Sequence, residues 1–141
     1  MSKLLKDMIA ITGSTGFIGK NLTKFFDKTS RNYIPIKRTS FQRKNTPSFT
    51  RCSCMIHLIG IGDETVEKSF DQINVEITKK VIMICKRSKI KKIIYFSGLG
   101  ASKNSSSKYF ISKFKSEQII KNSGLDYTIF RPSYIIGRDD Y

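Results

Sequence analysis

The stretch Met8-Ile9-Ala10-Ile11-Thr12-Gly13-Ser14-Thr15-Gly16-Phe17-Ile18-Gly19 constrains this chain more than any other. A short apolar run enters a turn with a glycine at every third position, and a helix-like sequence follows. Strand, glycine turn and helix in that order make a cradle for a dinucleotide pyrophosphate. Gly13 permits a tight turn that a Cβ would obstruct. Gly16 lets the backbone approach the phosphates, and Gly19 lets the helix pack closely on the strand. The helix N-terminus then offers unpaired N–H groups and a partial positive charge to the anion. The strand before it and its place near the N-terminus separate this pattern from an ordinary glycine-rich turn.

The rest of the chain alternates in the same way. Residues 8–12 read as a first strand and 17–27 as a helix, with Phe17, Ile18, Leu22, Phe25 and Phe26 on or near one face. Residues 33–37 form a second strand, interrupted by Pro35, which suits a sheet edge. Residues 39–53 carry neither a helix nor a strand pattern. Residues 54–59 read as a third strand, 70–88 as a helix, 92–97 as a fourth strand, 107–122 as a helix and 125–131 as a fifth strand stopped by Pro132. This order predicts an α/β fold of three layers, the Rossmann architecture, with a parallel sheet of about five strands and right-handed crossovers. No repeat or linker divides it, so residues 1–141 are expected to form one domain.

A chain of 141 residues is long enough for a core of its own. It has no run of the ~20 apolar residues needed to span a bilayer. The opening Met1-Ser2-Lys3-Leu4-Leu5-Lys6-Asp7 lacks the apolar segment of a signal peptide, so a cytoplasmic location is expected. Cys52, Cys54 and Cys85 are odd in number, and Cys52-x-Cys54 has no second pair, so no metal site is expected. Lys and Arg total 26 against 11 Asp and Glu, a formal charge of +15. Such a charge points either to a nucleic-acid or acidic-membrane partner or to a bias of composition. The lysines are scattered, without an Arg-rich or aromatic-interleaved tract. Weak, salt-sensitive binding to polyanions is expected in either case.

Tyr109-Phe110-Ile111-Ser112-Lys113 places a phenol and an ammonium on one helical face. A phenol with a pKa of about 10 is a poor base at neutral pH. An ammonium about 4 Å away favours the phenolate. Such a Tyr can trade a proton with a substrate hydroxyl while hydride moves to or from a nicotinamide. The pair gains meaning from its order: after the glycine turn, after a strand ending at Ser97, and at the start of the next helix.

Together these segments resemble the short-chain dehydrogenase/reductase superfamily in its extended, atypical branch, which includes NAD-dependent epimerases and dehydratases. Ile73-Asn74-Val75-Glu76-Ile77-Thr78 matches the family's Asn-Val-x-x-Thr helix. Ser97-Gly98-Leu99-Gly100-Ala101, Ser105-Ser106-Ser107-Lys108-Tyr109 and Phe130-Arg131-Pro132-Ser133-Tyr134-Ile135-Ile136-Gly137-Arg138-Asp139-Asp140 are similar to the group of the NADPH-binding accessory subunit of respiratory complex I and its prokaryotic relatives. The resemblance implies that Gly13, Thr15, Gly16, Phe17, Ile18 and Gly19 hold the pyrophosphate. His57-Leu58-Ile59-Gly60 would run beneath adenine and ribose, with His57 a strand-end residue and not a base. Asn74 would be the structural Asn of the central helix. Tyr109 would be the acid/base. Lys113 would hold the nicotinamide ribose and lower the pKa of Tyr109. Pro132 and Ser133 would flank the carboxamide. Where an acidic residue would accept the ribose hydroxyls of NAD, this chain has Lys37-Arg38. Arginine pairs bidentately with phosphate, so NADP(H) is favoured over NAD(H).

Three departures from the family pattern matter. Residues 39–53 are too short for the family's third strand, so the sheet order becomes 2-1-4-5-6 in family numbering and the second strand an edge. The family's catalytic Ser or Thr lies just beyond Ser97, where this chain has Leu99; Ser97 is the substitute. The family continues past position 141 into a substrate-binding lobe, so the cleft here is expected to stand open with Ile135 and Ile136 exposed. Three functions stay open. One is an NAD(P)(H)-binding module with weak or no catalysis, a partner of a larger assembly. A second is an NADP-dependent oxidoreductase or nucleotide-sugar epimerase using Tyr109 and Lys113. A third is a basic polynucleotide-binding Rossmann protein.

Overall fold

The computed structural model describes residues 8–41 and 49–138. Outside these lie the N-terminal residues read for a leader, residues 42–48 of the 39–53 stretch, and Asp139 and Asp140 of the closing motif. β1 (Met8–Thr12) feeds α1 (Phe17–Lys28) through the glycine turn. β2 (Tyr33–Ile36) is followed by a tight 3-10 turn, Arg38–Phe41. β3 (Cys52–His57) leads to a π-helical stretch, Asp71–Glu76, that runs on into α2 (Ile77–Arg87). Then come β4 (Lys92–Phe96), α3 (Lys108–Lys121) and β5 (Asp126–Phe130).

All five strands are parallel, in the order β2-β1-β3-β4-β5. This is the expected sheet, with β2 and its Pro35 at one edge and the family's third strand absent from the described residues. Strand alternation sorts the side chains into two cores. Ala10, Met55, Ile93 and Tyr95 face α2 and α3, meeting Val81, Ile84, Cys85 and Ile120. Ile11 and Ile56 face the other way, against Phe26 and Leu22 of α1. Three layers follow directly. No helix among the described residues is long and apolar enough to cross a membrane.

Most boundaries fall within one residue of the sequence reading, and two elements depart further. β3 runs from Cys52 to His57 and not over 54–59; a register shift between Met8 and Ile9 lets Cys52 pair with Met8. The helix expected over residues 70–88 opens as a widened π turn. In that turn the Asn74 carbonyl accepts the hydroxyls of Thr78 at 2.7 Å and Ser116 at 2.6 Å.

The glycine turn is fixed by sterics. Gly13 has φ +72°, and a Cβ there would lie 2.9 Å from the Leu58 carbonyl carbon. At Gly19 a Cβ would come within 2.1 Å of the Gly13 oxygen, so α1 could not seat on the turn. Backbone cannot yield as a flexible side chain does. Gly19→Ala is therefore expected to lower unfolding free energy by about 3 kcal/mol in urea titrations, although alanine is the better helix former. Lys20→Ala, exposed on the next position, is expected to stay within about 0.5 kcal/mol of the parent.

Candidate functional site

The C-terminal ends of the strands open into two clefts that share Leu58 and Gly60. The first, of about 430 Å³, is walled by the glycine turn and by the end of β2: Gly13, Thr15, Gly16, Ile59, Lys37 and Arg38. The second, of about 740 Å³, lies over the ends of β4 and β5 and is lined by Ile18, Ser97, Tyr109, Lys113, Pro132 and Ser133, with Leu99, Phe110 and Tyr134. Sequence reasoning thus brought together most of its candidate residues. Phe17, Gly19 and Asn74 line neither cleft. The Phe17 ring lies against Gly137, Gly19 is buried under the turn, and Asn74 is buried between elements.

No side chain caps the start of α1. The first turn of a helix leaves N–H groups without intrahelical acceptors, and here they face a backbone-walled cradle that any Cβ at Gly13 or Gly19 would disturb. These residues fit a dinucleotide pyrophosphate.

A buried polar chain connects this turn to α3. Thr12 Oγ1 accepts the Leu58 N–H at 3.1 Å and the Ile59 N–H at 3.4 Å, and meets His57 Nδ1 at 2.8 Å. His57 Nε2 meets Thr78 Oγ1 at 2.9 Å. Thr78 spends its one proton on the Asn74 carbonyl, so it must accept from His57. The imidazole is then protonated at Nε2, and Nδ1 accepts from Thr12. Asn74 continues the chain: its Oδ1 accepts the Ile61 N–H at 2.9 Å and its Nδ2 donates to Ser112 Oγ at 3.0 Å. His57 is completely buried, and burial followed by the Lys113 charge lowers its pKa to about 3. It is a structural group, as expected, and no base.

Tyr109 and Lys113 share one face of α3 and both reach the second cleft. Their electrostatics differ from the expectation. Lys113 Nζ donates to the Phe96 carbonyl at 2.9 Å and sits 4.9 Å from the Tyr95 ring centre, but 5.8 Å from that of Tyr109. The Tyr109 hydroxyl is not lowered: burial raises its pKa. Lys113 is itself pushed down to about 8 by burial, against the opposing pull of Glu117. The open carbonyl at the end of β4 outcompetes the phenol for the ammonium. Ser97 Oγ is buried at the strand tip, and Leu99 stands 66% exposed beyond it.

Sequence reasoning missed Glu117. This fully buried carboxylate accepts Arg131 Nε at 2.8 Å and also Arg131 Nη2. Burial alone would raise Glu117, but the Arg131 guanidinium holds it below the usual carboxylate range. The pair ties the turn after β5 to α3, so Pro132 and Ser133 stay at the cleft. Tyr109, Lys113 and Glu117 step by four along one face, and that spacing was the available signal. The thiols lie apart from the clefts; burial pushes Cys85 up to about 12.

A family model described as NAD(P)H-binding matches residues 49–140. The chain belongs to that NAD(P)H-binding family. It is 27% identical to NADH dehydrogenase (ubiquinone) 1 alpha subcomplex subunit 9, mitochondrial, of Arabidopsis thaliana, over 92% of this chain and 39% of that protein. Among solved structures, the Bordetella bronchiseptica enzyme WbmH in complex with NAD+ superposes with a TM-score of 0.72 at 17% identity, over 93% of this chain and 57% of that one. UDP-glucuronic acid 4-epimerase from Bacillus cereus, in complex with NAD, gives 0.69 at 18% identity, over 88% of this chain and 55% of that one. The fold is that of the short-chain dehydrogenase and epimerase structures, and the chain spans about two fifths of the length of its curated relative.

His57 yields a pH dependence with a definite sign. Its folded pKa lies below the unfolded value of about 6.5, so the unfolded chain takes the proton first. The stability it preserves is complete above about pH 6.5 and is lost as pH falls towards 3, by up to ~1.4 kcal/mol per pH unit. His57 is the only histidine, so the single imidazole resonance in proton NMR is expected to hold its neutral position from pH 8 to pH 5 in the folded protein. A midpoint near 6.5 would refute the buried neutral assignment.

Proposed function

We propose that this chain is a dinucleotide-binding module that prefers NADP(H) and keeps a Tyr/Lys proton-transfer pair with little turnover of its own. The observation that carries the reading is the pair of clefts meeting at Leu58 and Gly60: one walled by the glycine turn, the other containing Tyr109 and Lys113. A single elongated ligand can run from one to the other. Gly13, Thr15, Gly16 and the N–H groups of Phe17, Ile18 and Gly19 would take the pyrophosphate. Leu58, Ile59 and Gly60 would support the adenosine half, with Lys37 and Arg38 beside its ribose. Ser97, Lys113, Pro132 and Ser133 would bound the nicotinamide half. Asn74 contributes by fixing α3.

When bound, the nicotinamide supplies hydride chemistry. The Tyr109 hydroxyl, kept protonated by burial, donates a hydrogen bond to an acceptor oxygen in the second cleft and can release its proton to it. The Lys113 ammonium stabilises the charge left behind. Leu99 offers no donor where a second hydroxyl would hold the substrate oxygen, and the exposed rim admits water, which weakens every electrostatic contact at the site. These two features favour binding over catalysis. The Tyr109 and Lys113 pair supports the second reading, an NADP-dependent oxidoreductase or nucleotide-sugar epimerase. The mitochondrial relative is named as a subunit of NADH dehydrogenase, which supports a role as a component of a larger assembly. The surplus positive charge supports salt-sensitive attraction to polyanions.

Calorimetry tests the cofactor assignment. NADPH is expected to bind more tightly than NADH. Arg38→Ala is expected to weaken NADPH by roughly 1.5–3 kcal/mol, the worth of a charge-assisted hydrogen bond, and to leave NADH almost unchanged. Equal affinity of the parent for both cofactors would remove Arg38 from the site. Sustained NADPH oxidation with carbonyl or nucleotide-sugar substrates, abolished by Tyr109→Phe, would replace the binding-module reading with the enzyme one.

A further inference from the structure

The two clefts differ in charge. Lys37 and Arg38 line the first. The second has about 740 Å³ of space, and among the described residues Lys113 is the only charged one in its lining. That ammonium is already bonded to the Phe96 carbonyl at 2.9 Å and is buried. Cations are abundant in a chain with 26 Lys and Arg. Yet Lys103 and Lys108, exposed on the neighbouring loop and helix start, do not line the cleft.

The rim is apolar by construction. Gly98 and Gly100 lie flat on the Phe110 ring, where a Cβ on either would come within 3.0 Å and 2.9 Å of a ring carbon. Leu99 between them donates its N–H to the Pro132 carbonyl at 3.1 Å. With ring beneath and Pro132 beside, its side chain is left at the mouth, 66% exposed. Tyr134, 91% exposed, and Ile135 line the same cleft. Adjoining exposed apolar side chains around a concave site mark a ligand or partner surface. A diphosphate placed there would lose water and, among the described lining residues, meet one cation, Lys113, already bonded to the Phe96 carbonyl.

We propose that the second cleft takes an uncharged, largely apolar compound with one carbonyl-type acceptor oxygen, and not an anionic nucleotide sugar. The acceptor meets the Tyr109 hydroxyl, and the apolar body lies between Leu99, Tyr134 and Ile135. The assignment rests on the dinucleotide reading for its place beside the nicotinamide half, but its chemistry comes from the lining alone.

The test is calorimetry on the whole chain with 2-acetylnaphthalene, a neutral aryl ketone, and with UDP-glucose, each with and without saturating NADPH. The ketone is expected to bind at least tenfold more tightly than UDP-glucose in both conditions. Leu99→Lys, at an exposed position, is expected to weaken the ketone about tenfold and leave NADPH affinity unchanged. Tyr134→Ser is expected to act in the same direction. The proposal is overturned by UDP-glucose binding as tightly as the ketone, by no ketone binding up to its solubility limit, or by ketone binding that neither substitution alters. Failure of NADPH to bind would instead remove the dinucleotide reading, while the ketone arm without cofactor still decides this one.

Discussion

The hydroxyl of Thr12 is the point from which the mouth of the sheet is set. It is fully buried at the end of β1, where it takes two N–H groups from the chain leaving β3 and gives its proton to His57. The bonds then pass through Thr78 and Asn74 to Ser112 and Ser116 on α3. Each hydroxyl has one proton, so the direction of the whole chain is determined once Thr78 is assigned. Buried polar groups are costly only when unmatched, and here each step is matched. The consequence is positional. The turn that would hold phosphate and the helix that carries Tyr109 and Lys113 are tied through one set of short bonds, in addition to the packing of the sheet.

The same mouth is closed from the other side by ionic and backbone contacts. Ser97 and Leu99 donate to the carbonyls of Phe130 and Pro132, continuing the β4–β5 pairing past the strands. Glu117 then holds Arg131, the first residue beyond β5. At its far end, the segment is fixed to α1: Asn21 Nδ2 donates to the Arg138 carbonyl at 3.0 Å, and Gly137 lies against Phe17. Between these anchors the chain crosses the cleft with Tyr134, Ile135 and Ile136 unburied, Ile136 at 88%. The exposed isoleucines expected from the sequence therefore belong to a strap with two fixed ends.

What the sequence disclosed and what it withheld divide along a physical line. The glycine turn was legible because its requirements are local: a positive φ at Gly13 and a close approach at Gly19 exclude other residues whatever surrounds them. The strands and helices were legible because periods of two and of three to four are local as well. The onset of β3 at Cys52 depends on a register shift in its partner, and the π turn depends on Ser116, more than forty positions away. Neither leaves a trace in its own segment. The Tyr109 and Lys113 pair was found by spacing, but spacing could not say which acceptor the ammonium would choose. The Phe96 carbonyl, left open at the end of a strand, won over the phenol. Glu117 was one step further along the same stripe and was passed over because its partner arrives from β5.

Electrostatics inside the fold follow from those choices. Desolvation depresses both basic groups near the cleft, His57 and Lys113, and raises Tyr109, so all three shift towards their neutral forms. Glu117 is instead driven to the charged form, by a guanidinium held partly in solvent. Its negative charge is what keeps Lys113 from falling further. A buried carboxylate thus serves two basic groups at once: it positions Arg131, and with it the strap, and it preserves the ammonium beside Tyr109. Any change that neutralised Glu117 would act on the cleft from both directions, loosening its outer wall and weakening the Lys113 ammonium on its inner wall.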